Sequence, residues 1–196
     1  MAGIRPVREP AIIDFLEAQP RKPFEGTLWR AVRADRDPLR SSTPKGRWDD
    51  GSIEVLYTSL EADGAKAEIY FHLLRGQPVF PSRIDFHLFE LQASLDDAIA
   101  VLSLTELAPA GIESSVYGTL AYARREEEYS PSQKLGEAAH FLGLEALIVP
   151  NARRDCLNAV LFMSHIEEES ISIRKDHGTI DWNAWKKSEA ASAVNR

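Results

Sequence analysis

Residues 46–68 read GRWDDGSIEVLYTSLEADGAKAE, and the reading of this stretch decides the fold. Gly46 and the run Asp49-Asp50-Gly51 are turn-forming. Residues 53–58 are rich in β-branched and aromatic side chains, which suits a short strand. From 61 to 74 the apolar positions Ala62, Ala65, Ile69 and Leu73 recur at helical spacing. The unit is therefore loop, strand, helix. It brings together a cation (Arg47), an aromatic face (Tyr57) and a helix-borne carboxylate (Glu68). Those are the parts needed to hold a nucleotide and stabilise a cationic sugar.

Outward from this unit, residues 27–32 (TLWRAV) predict the first core strand, with Arg30 inside it. An arginine in an apolar strand is costly unless a carboxylate or a ligand meets it. Alternation sets Leu28 and Arg30 on one side, so the charge does not simply fall on a polar face. A structural ion pair is the plainer alternative. Between Arg30 and Arg47, six cations stand against Asp35 and Asp37 alone, a local excess of four positive charges in a chain of net charge −7. Such a patch suits a phosphate-bearing ligand, or is simply a solvated arginine-rich loop.

The remaining elements are read in the same way. Residues 11–17 form a short helix ended by Pro20 and Pro23. Residues 83–91 alternate, with the apolar set shifting by one at Phe89, which predicts a half-buried strand with a bulge. Residues 95–107 read as mildly helical, and a loop opened by Pro109 and Gly111 reaches Tyr129. Ser130-Pro131-Ser132-Gln133 predicts a helix start with a capping box, ending at Gly143. Residues 145–149 and 157–163 are buried strands joined by the turn Pro150-Asn151-Ala152-Arg153. Residues 171–174 suit a last strand, and Trp182 and Trp185 a tail that packs back or meets a partner. Glu167-Glu168-Glu169 reads as a solvated face.

With 196 residues, 44% hydrophobic and 27% charged, the chain is expected to be one soluble domain with its own core. The acidic balance argues against a general nucleic-acid or anionic-membrane binder. One cysteine, Cys156, excludes an internal disulfide and fits the cytoplasm, where it is expected to be a buried structural thiol. No apolar run approaches the ~20 residues of a membrane helix, and MAGIRPVREP lacks the apolar core of an export signal. Phosphate-loop, dinucleotide and nucleophile-elbow motifs are absent. The five histidines have no metal-ligand spacing, so no metal is expected, and His87 reads as a core or surface residue. Asp49-Asp50 is accounted for by turn geometry.

Taken in order, LWR, GRW, VLYTSL, AKAE, SQKLGEAAHFLGLEALIVPNAR and LNAVLF resemble the RES domain family, over about two thirds of the chain. The resemblance implies an α+β single domain, an ADP-ribosyltransferase-like split β-sheet core with flanking helices. The expected limits are an N-terminal extension (1–26), the RES domain (27–174) and a C-terminal tail (175–196). It implies a toxin of a bacterial type II toxin–antitoxin system that consumes NAD by cleaving the nicotinamide–ribose bond, with water or phosphate as acceptor. A protein-modifying ADP-ribosyltransferase is the alternative. The implied partner is an Xre-type helix-turn-helix antitoxin that caps the active site. Carried over residue by residue, the family arginine is Arg30, the second basic position Arg47, the strand aromatic Tyr57 and the glutamate Glu68. The family serine is replaced by Asn151, and Asn158 matches a commonly polar site. Glu68, Arg30 and Asn151 are then the expected catalytic residues; Arg30, Arg47, Tyr57 and Asn158 would bind NAD. The replacement at Asn151 keeps a third reading open, a non-catalytic nucleotide- or antitoxin-binding module.

Overall fold

Two long strands, β1 (Arg21–Arg33) and β3 (Phe86–Ala100), pair antiparallel from Arg21↔Ile99 to Arg33↔Phe86 and form the backbone of the molecule. The computed structural model describes residues 8–41, 45–74, 84–119 and 124–194. On the far edge of β3 lies β6 (Ile171–Thr179), antiparallel. A second group, β2 (Val55–Ser59), β5 (Leu157–Phe162) and β4 (Ala146–Pro150), is antiparallel throughout. The two groups join at few points. β3 meets β4 in parallel over Ala98–Ala100, and β1 touches β2 at the single pair Trp29↔Ser59. All six strands among the described residues belong to one sheet that closes on itself through the β1–β3 pairing and is nearly split where β1 leaves β2. The chain is an α+β single domain of ADP-ribosyltransferase-like architecture, as the resemblance implies.

Five α-helices among the described residues flank this sheet. α1 (Pro10–Glu17) packs against α4 (Arg125–Phe141), and α2 (Ala62–Leu74) lies over β1. α3 (Leu104–Leu107) is one turn, and α5 (Trp182–Val194) closes the described chain. Residues beneath α4 and α1, among them Trp48, Leu135, Leu147, Val160 and Phe162, make one core on one sheet face. Leu28, Leu56, Leu91, Ile148 and Leu161 make a second core on the other. A smaller cluster of Ala31, Phe86 and Leu88 receives Ala65, Ile69 and Leu73 from α2, the helical stripe read from the sequence.

Several sequence expectations are corrected. β1 begins at Arg21 and runs through Pro23, which is tolerated because the register with β3 shifts between Lys22 and Phe24. Residues 95–100 continue β3 and are not helical; Leu95, Ala98 and Ile99 fit either period, and pairing with β1 and β4 decides. The apolar shift at Phe89 is not a bulge against β1. Phe86 and Leu88 face the α2 cluster, Phe89 and Leu91 the second core, so β3 is buried on both faces. Around Phe89 the register slips against β6 instead, between His87 and Phe89 and between Glu90 and Leu91. β6 runs to Thr179, past the expected 174. α4 starts at Arg125 with Pro131 inside it, because Glu128 and Tyr129 are held by tertiary partners that the sequence does not reveal. Residue 83 of the expected third strand, and residues 120–123 of the expected loop, lie outside the described residues. Cys156 is half-buried, next to the Ser59 hydroxyl (3.8 Å), and burial first of all pushes its thiol up to about 11.

Candidate functional site

A cleft of about 350 Å³ opens where β1 and β2 diverge beyond their one shared pair. Trp29 and Ala31 from β1, and Tyr57 and Ser59 from β2, line it on one side of the split. Glu68 and Ile69 of α2 face it, and the loop carrying Lys45, Gly46 and Arg47 closes one end with Tyr129 of α4. Asn158 of β5 contributes the floor. Of the expected site residues, Arg30, Arg47, Tyr57, Glu68 and Asn158 all line this one cleft; Asn151 does not.

Glu68 sits one turn into α2, half-buried, and its Oε1 accepts a hydrogen bond from Asn158 Nδ2 at 3.3 Å. Placement on a helix packed over β1 restrains the carboxylate more than a loop could. Asn158 Oδ1 accepts in turn from Asn151 Nδ2 at 2.7 Å. Asn151 itself is 7% exposed, and its backbone N–H bonds the Cys156 carbonyl.

The 46–51 loop is organised by Asp49, 1% exposed, whose Oδ2 accepts from Gly46 N–H (2.9 Å) and Tyr57 O–H (2.6 Å). Its Oδ1 accepts from Gly51 N–H at 2.9 Å, and burial nevertheless raises its pKa above the ordinary value. Tyr57 also accepts from Trp48 N–H (3.0 Å), so its hydroxyl is bound to the loop and only its ring is offered to the cleft. α4 grips the same loop from the other side. Ser132 donates to the Arg47 carbonyl (2.7 Å), and Gln133 Nε2 to the Gly46 carbonyl (2.8 Å).

Arg47 is held inside the wall of the cleft. Its guanidinium pairs with buried Glu128 and lies between the rings of Tyr117 (4.4 Å) and Tyr129 (4.7 Å). Glu128 also accepts from Gly118 N–H, so the loop at Gly118, α4 and the GRW loop are tied through one ion pair. Arg30 is 4% exposed; its Nη1 donates to the Pro38 carbonyl at 2.7 Å. Burial, reinforced by Arg36 and opposed by Asp37, lowers it to about 10. The arginine-rich patch is therefore not one phosphate seat. Arg33 pairs with Asp35, Arg36 donates to the Ser41 carbonyl, and Lys45 is exposed at the cleft.

Sequence reasoning missed Trp29, Ser59, Tyr129, Tyr117 and Glu128. Trp29 and Ser59 were readable, since Trp29 adjoins Arg30 and Ser59 lies two residues from Tyr57, on the same face of its strand. Glu128 was not, being the last of three consecutive glutamates before Tyr129. Among the described residues no group of three His, Cys, Asp or Glu could hold a metal ion, and no helix is long and apolar enough to cross a membrane.

No curated protein matches the chain by sequence. The structure is similar to the toxin chain in the crystal structure of the M. tuberculosis MbcT-MbcA toxin–antitoxin complex. The TM-score is 0.75 at 16% identity, over 91% of this chain and 97% of that one. The model of the RES domain matches residues 27–183, from within β1 to the first turn of α5, and so takes in every element that builds the cleft. On that match the chain belongs to the RES domain family.

Proposed function

We propose that this protein is the toxin of a bacterial type II toxin–antitoxin pair and that it consumes NAD by breaking the nicotinamide–ribose bond. Family membership and the likeness to a toxin of such a complex support the coarse reading. The observation that carries the finer one is the Glu68 carboxylate, held by Asn158 in a cleft with aromatic walls. When the bond breaks, its electron pair leaves with nicotinamide and positive charge develops on the ribose. A fixed carboxylate beside that carbon is worth far more than one in water. Water or phosphate then attacks the cation, and the surplus proton is released. The rings of Trp29, Tyr57 and Tyr129 supply flat apolar surface for the base and sugar. Lys45, exposed at the cleft, with Arg30 where the strands part, would meet the diphosphate. Arg47 is assigned mainly to holding the wall, since Glu128 already neutralises it.

A cleft of this size lies at the lower end of the roughly 300–1,000 Å³ of small-molecule sites. It fits the nicotinamide–ribose half of the dinucleotide, with the rest lying across the open rim. The proposed partner is an Xre-type helix-turn-helix antitoxin that covers this mouth, and the proposed place of action is the cytoplasm. The test is growth of cells expressing the chain without antitoxin. Growth arrest that is lost in Glu68→Ala at equal protein level supports the reading. Arrest that survives Glu68→Ala removes the role assigned to the cleft.

A further inference from the structure

Asn151 opens the turn between β4 and β5, and its two amide ends face different groups. Oδ1 accepts from the backbone N–H of Arg153 (2.7 Å) and of Arg154 (3.1 Å). Backbone donors cannot become acceptors, so this fixes which end of the amide is the oxygen. Nδ2 is then the end that faces Asn158 Oδ1 (2.7 Å) and the Gly64 carbonyl (3.5 Å). With its oxygen engaged, Asn158 must turn Nδ2 toward Glu68. Each orientation follows from the one before, and the first is set by the main chain.

The packing enforces this order. Gly64, in the first turn of α2, lies so close that a Cβ there would sit 2.3 Å from Ser59 Oγ and 2.6 Å from Cys156 Sγ. Glycine lets α2 come this near to the turn without displacing those side chains, and the approach brings Glu68 within reach of Asn158. Asn151 is buried and stands outside the cleft lining that contains Asn158 and Glu68.

We infer that Asn151 is a positioning residue: through Asn158 it aims an N–H at Glu68 and so fixes the carboxylate that faces the developing sugar cation. The inference rests on the proposed role of Glu68 and adds a residue that never touches substrate.

Asn151→Asp is the informative change. It keeps an oxygen for both backbone N–H groups, so the turn remains capped. Its other oxygen now accepts where Nδ2 donated. Asn158 must reverse, present its own oxygen to Glu68 and push the carboxylate away. NAD turnover should then show kcat lowered at least ~10-fold with KM nearly unchanged, because a displaced reacting group costs rate before affinity. The added charge alone is controlled by repeating the substitution in an Asn158→Leu background, where the relay is cut. The further loss on Asn151→Asp should nearly vanish there. An equal loss in both backgrounds, or a raised KM with kcat unchanged, overturns the relay. If the wild-type protein consumes no NAD, the activity fails and the relay is judged separately from the side-chain amide signals of Asn158 in ¹H–¹⁵N spectra. Those signals should move in Asn151→Asp; unmoved signals overturn the inference.

Discussion

Replacing Arg47 with methionine tests whether its charge is structural. The Arg47 side chain is 9% exposed and that of Glu128 is 3% exposed, so the pair lies out of reach of solvent screening. Methionine fills similar length but leaves the Glu128 carboxylate with the Gly118 N–H as its other donor. Breaking one side of a buried pair typically costs about 3–5 kcal/mol. The rings of Tyr117 and Tyr129 lose their cation as well, a further ~0.5–2 kcal/mol. Urea unfolding of Arg47→Met should therefore show a loss of about 3.5–7 kcal/mol. In the double variant Arg47→Met with Glu128→Leu most of that loss should return, because no unpaired charge stays behind. A single variant within about 1 kcal/mol of wild type, the range of an exposed pair, would refute the reasoning. So would a double variant whose loss is the sum of its parts.

Other perturbations read other parts of the account. In Gly136→Ala the new Cβ would stand 2.0 Å from the Trp48 carbonyl oxygen, which is main chain and cannot swing aside. A thermal melt should show a loss of roughly 1–3 kcal/mol as α4 withdraws from the loop. Arg30→Met should cost little stability while lowering NAD turnover. Burial holds the Arg30 guanidinium below its ordinary range, at about 10, so at neutral pH its charge opposes folding, a penalty that fades as pH rises above 10. A large fall in Tm for Arg30→Met would contradict this. Cys156, raised to about 11, should react with iodoacetamide at pH 8 far more slowly than free cysteine; comparable rates would place it in a different setting.

The strand–helix unit of residues 53–74 was legible because each period is carried by its own residues: β-branched side chains in β2, and Ala62, Ala65, Ile69 and Leu73 on one stripe of α2. Where two periods coincide, as at Leu95, Ala98 and Ile99, the sequence had no means of choosing, and a partner strand chose. Pro131 misled for a related reason. A proline signals a helix start locally, yet Glu128 and Tyr129 before it gain an ion pair and an aromatic contact by being helical. The site was legible as an inventory, since five of its six expected residues line one cleft, and illegible as a division of labour. Nothing in GRW says that Arg47 will be matched by a glutamate 81 positions away. Nothing in PNAR says that Asn151 faces another asparagine and not the cleft.

The most direct test of the central claim is chromatography of NAD incubated with purified, folded, antitoxin-free protein, beside Glu68→Gln. Steady loss of NAD with release of nicotinamide, reduced ~10²–10³-fold in Glu68→Gln, is the result expected from a carboxylate that stabilises the sugar cation. Label appearing on a macromolecule in place of free ADP-ribose would name a protein acceptor instead. NAD left intact by the wild-type protein, or consumed equally well by Glu68→Gln, would contradict the account.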